Sequence, residues 1–97
     1  MKAYELLYFV APTTEDDVRA AVQTRIETVV KDAKGQIDNV EDWGRRKLAY
    51  EVNGLTDADY ILVDFHTDPT NIAELDRVLR ITDAVARHMI VARTDRD

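Results

Sequence analysis

Val18, Ala21, Val22, Ile26, Val29, Val30 and Ala33 recur at spacings of three and four, the period of one apolar face on an α-helix. Thr14, with Asp17 three residues on, resembles a capping box, and Glu15, Asp16 and Asp17 suit the positive end of a helix dipole. Gly35, after Lys31 and Lys34, marks the stop. A helix over 15–34 is thus predicted, and it constrains everything around it. About 20 helical residues span roughly 30 Å, so the flanking segments must pack against one stripe of this helix.

Those segments change period. Residues 3–10 are dense in aromatic and branched side chains and end before Pro12, which predicts a strand. Residues 36–42 predict a second, bent or interrupted at Trp43-Gly44 and continued extended over 46–52 by Leu48, Tyr50 and Val52. The stretch 53–59 is rich in Asn, Gly and Asp and predicts a turn. A strand over 60–66 follows. Asp68 can cap a helix with Pro69 in its first turn, and Ile72, Leu75, Val78 and Leu79 give that helix its stripe to about residue 79. The last strand is predicted over 85–92, with Val85, Met89 and Val91 set against Arg87, His88 and Ile90.

The order β-α-β-β-α-β describes an α+β ferredoxin-like sandwich, a split β-α-β arrangement of four antiparallel strands with two helices on one face. Ninety-seven residues suffice for one such domain, with 94–97 as a short tail. One sheet face is then left uncovered. Leu6, Tyr8 and Val10 alternate with Glu5, Leu7 and Phe9 along the first strand. If the even set meets the helices, Leu7 and Phe9 lie on the open face, where apolar side chains in a small domain suggest a partner surface.

Several kinds of chemistry are excluded. The chain has no cysteine and no serine, so neither disulfides nor Ser or Cys nucleophiles are available. Lack of cysteine fits a reducing, cytosolic setting. Its three glycines form no phosphate-binding loop. His66 and His88 fall in different strands with no metal-ligand spacing. No catalytic residue, metal site or cofactor is expected. No apolar run reaches the roughly 18–20 residues of a membrane span, and no signal peptide is recognised.

The net charge of −6 argues at first against a polyanionic partner. Its distribution argues otherwise. Residues 1–44 sum to −4 and residues 48–76 to −7, but Arg45-Arg46-Lys47 gives +3 within three residues, and 77–94 gives another +3. With a Debye length of about 8 Å, a ligand senses the island more than the total. Nine of the thirteen cations are Arg, whose planar fork suits phosphates. Trp43 beside the first island could stack on bases or pack under the strands; Tyr50 is expected in the core.

Four segments carry a family resemblance: Tyr4-Glu5 after a basic residue, Trp43-Gly44-Arg45-Arg46-Lys47-Leu48-Ala49-Tyr50, Tyr60-Ile61-Leu62-Val63-Asp64-Phe65, and Leu79-Arg80-Ile81-Thr82-Asp83 running into Arg87-His88-Met89-Ile90-Val91. In order, and over nearly the whole chain, they resemble the bacterial small-subunit ribosomal protein S-six family. That resemblance implies the same ferredoxin-like fold and a non-enzymatic protein of the cytoplasmic ribosome. It implies binding to the central domain of small-subunit rRNA together with ribosomal protein S-eighteen.

The positions matching the family's basic motifs are Lys2, Arg45, Arg46, Lys47, Arg80, Arg87 and Arg93. Leu7, Phe9 and Trp43 are the expected partner contacts. Glu51 stands where many members have Pro, and Thr82 where some have a basic residue. RNA contacts at 50–52 and at 82 are therefore not carried over. Two other readings remain open: a small-molecule regulatory module, which would form a homodimer around an open-face pocket, and a small open-faced-sandwich enzyme dependent on His66 or His88.

Overall fold

The computed structural model describes residues 1–52 and 54–96. The strands are β1 (Lys2–Val10), β2 (Gln36–Val52), β3 (Leu55–Thr67) and β4 (Val85–Ala92), and the helices α1 (Asp16–Asp32) and α2 (Ile72–Arg80). They form one antiparallel sheet in the order β2-β3-β1-β4, so β2 and β4 are its edges. Short 3-10 turns cover Pro69–Asn71 and Thr94–Arg96, the latter where the sequence suggests a tail. Asn53, in the expected turn, and Asp97, at the chain end, lie outside the described residues.

Parity along β1 organises the packing. Tyr4, Leu6, Tyr8 and Val10 are buried with Ile61, Val63 and Phe65 of β3. Above them lie Val22, Ile26 and Val30 of α1 and Leu75 and Leu79 of α2. Both helices therefore cover the even face of β1, as the alternation predicts. Truncating a fully buried side chain such as Leu6 to Ala would cost about 2–5 kcal/mol.

Helix α1 starts and stops for reasons the sequence motifs do not show. The expected Thr14–Asp17 box does not form. Glu15 is the N-cap, without a side-chain cap bond, and Asp17 Oδ1 instead accepts from Val18 N–H. Thr14 lies one position too early, and its carbonyl accepts from Arg19 Nε at 3.1 Å. At the other end the left-handed residue is Lys34, φ 62°, not Gly35. Gly35 N–H donates to the Val30 carbonyl. A Cβ on Gly35 would sit 2.4 Å from the His66 carbonyl oxygen, so glycine is required there for space.

The β2–β3 hairpin is longer than expected. Strand β2 is not broken at Trp43-Gly44; one residue bulges out between Asp42 and Gly44, and pairing resumes with Gly44 opposite Tyr60. Gly44 absorbs the slip at φ 74°, a conformation costly for other residues. The expected turn over 53–59 shrinks because β3 begins at Leu55, with Arg45, Arg46 and Lys47 opposite Asp59, Ala58 and Asp57. Ala58 is fully buried, and Asp59 pairs with Arg19 and Arg45. Those acids belong to a strand, not a loop.

Elsewhere the expectations hold. Asp68 Oδ1 accepts from Thr70 N–H at 2.9 Å ahead of α2. The last strand spans 85–92 as expected, with two corrections of side: Arg87 shares the open face with Met89 and Val91, while Val85, expected with those two, packs with His88 and Ile90 toward the helices.

Candidate nucleic-acid and protein interface

Antiparallel pairing puts opposed residues on one face. Leu7 lies between Leu62 and Met89, and Phe9 between Tyr60 and Arg87. Both are half-buried on the side the helices leave open. Phe9 and Tyr60 stack, their ring centroids 4.2 Å apart and planes 8° from parallel. The far end of β2 comes over this pair. Leu48, Ala49 and Tyr50 on one side and Arg87, His88 and Met89 on the other enclose a groove of about 380 Å³ floored by Phe9 and Tyr60. Tyr50 is 67% exposed, which corrects its expected place in the core: it forms a wall of the groove.

The seven expected RNA-binding cations divide into groups. Arg45, Arg46 and Lys47 are exposed on β2, beside the bulge. Arg87 is exposed on β4 at the same end of the sheet, three strand spacings away or roughly 14 Å. Arg46, Lys47 and Arg87 form no ion pair with the described residues, whereas Arg45 Nε lies 3.9 Å from Asp59 Oδ1. Arg80 belongs to the same edge through Asp76, which it meets at 2.9 Å and which also bonds His88 Nε2 at 2.6 Å. These contacts hold the Asp76 carboxyl below its ordinary pKa, His88 contributing most and Arg80 next.

Lys2 and Arg93 lie at the opposite end. Lys2 is exposed and pairs across to Thr67, and Arg93 N–H donates to the Ala3 carbonyl at 2.8 Å. The Arg93 guanidinium is already engaged, by Glu5 at 2.6 Å and by Asp95 at 3.2 Å. Asp95, and more weakly Glu5, raises its pKa. Thr82 is buried, donating to the Val78 carbonyl and accepting from Arg25. It is a structural joint between the two helices.

Trp43 is not part of the groove. Its indole N–H donates to Glu41 Oε2 at 3.0 Å, and the Arg46 guanidinium lies over its ring, 6.0 Å from the centroid. Sequence reasoning misses Leu48, Tyr60 and Met89 as groove residues. The parity of β3 and β4 could have found Tyr60 and Met89, since both oppose open-face residues of β1. Leu48 has no such signal, because three extra residues between Lys47 and Val52 set its position.

His66 Nδ1 meets Asp38 at 2.5 Å and His88 is held by Asp76. Among the described residues no cluster of three His, Asp or Glu is placed to hold a metal. The Tyr8 hydroxyl, bonded to Gln23, is pushed up to about 12, chiefly by burial and then by Asp42. No described helix is long and apolar enough to cross a membrane.

Comparison with known proteins agrees with the geometry. The family model for ribosomal protein S6 matches residues 3–92. Small ribosomal subunit protein bS6 of Clostridium botulinum is 42% identical over 93 residues, covering 96% of this chain and 99% of that protein. The bS6 protein of Desulforamulus reducens is 36% identical over 91 residues, covering 94% and 96%. The crystal structure of 30S ribosomal protein S6 from Thermotoga maritima superposes with a TM-score of 0.88 at 32% identity, covering 97% of this chain and 89% of that one.

Proposed function

The chain belongs to the ribosomal protein S6 family, and from that premise we propose that it binds the central domain of small-subunit rRNA jointly with ribosomal protein S-eighteen. It is a structural protein of the small ribosomal subunit, located in the cytoplasm. The finer reading rests on one observation: an apolar groove on the uncovered sheet face has Arg46 and Lys47 at one side and Arg87 at the other, and none of these three forms an ion pair with a described acid. S-eighteen covers Leu7, Phe9 and the groove; Arg45, Arg46, Lys47 and Arg87, with Arg80 at the same edge, meet phosphates. Lys2 offers a separate contact at the far end.

The net charge of −6 sets how this works. A domain so acidic gains little from wrapping RNA, so it binds along limited edges and draws on a basic partner for further positive potential. The same acidity steers that partner onto the groove.

The test is rRNA affinity measured with and without S-eighteen. The isolated chain should bind a central-domain fragment weakly and the pair tightly, and Phe9→Asp should abolish the gain. Equal, tight binding by the chain alone would sink the cooperative part. A homodimer that ignores both RNA and S-eighteen would instead favour a small-molecule module using the groove.

A further inference from the structure

We propose that Trp43 and Arg46 form a receptor for one unpaired nucleotide, the indole stacking on the base while Arg46 and Lys47 meet the adjoining phosphates. This deepens, and rests on, the rRNA-binding reading above.

The ring is exposed and held in place. Trp43 is the extra residue of the β2 bulge, next to Gly44 at φ 74°, and 41% of it remains exposed. The bond from Nε1–H to Glu41 Oε2, 3.0 Å, fixes the edge of the indole, and the Arg46 guanidinium lies 6.0 Å from its centroid. A ring so placed needs no reordering to accept a stacking partner.

Its surroundings select the partner. A tryptophan that anchors a protein interface sits at the centre of a dry, apolar patch. Trp43 has Glu41, Asp42, Arg45, Arg46 and Lys47 for chain neighbours and stands outside the apolar groove. An aromatic face beside cations is the combination that takes a base and its phosphates. Bases inside an A-form duplex keep their faces covered, so the base received is unpaired. Glu41 and Asp42 bond neutral donors, the indole N–H and the Gly44 N–H, and form no ion pair with the described residues. The phosphates of a bound strand therefore lie on the Arg45–Lys47 side of the ring.

Trp43 is the only tryptophan, so fluorotryptophan labels this site alone. In ¹⁹F NMR of the labelled chain, unlabelled S-eighteen should leave the resonance nearly in place, and central-domain rRNA added to the pair should shift it. Trp43→Leu should weaken rRNA binding by the pair about tenfold, as expected for removing one stacked base, and Trp43→Phe should restore most of it. Both variants should keep the wild-type circular dichroism and melting point, because the ring is not in the core. An rRNA affinity within twofold of wild type for Trp43→Leu, with Arg87→Ala still weakening binding, would overturn this inference and leave the rRNA-binding reading standing. A loss of S-eighteen pairing in place of rRNA affinity would overturn it too, assigning the ring to the protein partner. A wild-type pair that binds no rRNA would overturn both.

Discussion

Phe9 of β1 and Tyr60 of β3 stack ring on ring, 4.2 Å between centroids, on the sheet face that carries no helix. The pair sits in the row Arg87, Phe9, Tyr60, Gly44 that crosses all four strands. It therefore joins the two central strands of the sheet below the groove. A double-mutant cycle with Phe9→Ala and Tyr60→Ala in urea denaturation should return a coupling of about 0.5–1.5 kcal/mol. Additive losses would mean that the rings merely lie side by side.

Arg19 joins the start of α1 to β3. Its guanidinium pairs with Asp59 and also donates to the carbonyls of Thr14, Ala11 and Pro12. The side chains are 23% and 13% exposed, so the pair is only partly desolvated. Arg19→Met takes the nearer cation from Asp59, which keeps Arg45 at 3.9 Å, and removes the guanidinium donors from three carbonyls. It should cost about 2–3 kcal/mol, below the full penalty for splitting a buried pair. Asp59→Asn leaves Arg19 its carbonyls and should cost about 1 kcal/mol. Chemical denaturation of the two variants checks the order, and a larger loss for Asp59→Asn would refute it.

Acid stability should depend on Asp76. Its carboxyl is held below the ordinary 3.8, first by the His88 bond and then by Arg80. A depressed acid stabilises the fold fully above its unfolded pKa, and that contribution is lost as pH falls through the lower folded value. The loss therefore falls below about pH 4. Asp76→Asn should flatten the acid limb of stability against pH there, leaving the rest of that limb in place. An unchanged limb would show that the α2–β4 contact contributes nothing through this carboxyl.

How much of this is legible in the sequence depends on the range of the interaction that decides it. The α1 stripe, the parity of β1 and the bounds of β4 follow from local periodicity, and all three hold. The Asp68 cap holds for the same reason. The hairpin is hidden because Asp57 and Asp59 look like turn residues until Lys47 and Arg45 are set opposite them. That pairing is a property of two strands at once. Parity alone puts Tyr50 in the core, but the three extra residues after Lys47 carry it out of that alternation. At the candidate site, the cations are visible as charge and the groove is not. Charge is a property of the residue, whereas a groove depends on which strands are neighbours.

The seven arginines and lysines matched to the family motif should not respond alike, and Arg93 against Arg87 shows why. Arg93 spends its guanidinium on Glu5 and Asp95 and its backbone N–H on Ala3. Arg87 is exposed beside the groove and pairs with no described acid. Arg93→Ala removes a clasp between β1 and the last turn and leaves Glu5 without that cation. It should lower the melting temperature while changing rRNA affinity little. Arg87→Ala should do the opposite, keeping the melting temperature and weakening rRNA binding by the S-eighteen pair. Removing a single phosphate-binding cation should also reduce the slope of log affinity against log salt by about 0.7–0.9. Thermal melts and salt titrations of both variants separate the two roles. If Arg93→Ala flattens the salt dependence and Arg87→Ala does not, RNA lies along the Lys2 end of the sheet and the assignment of edges must be reversed.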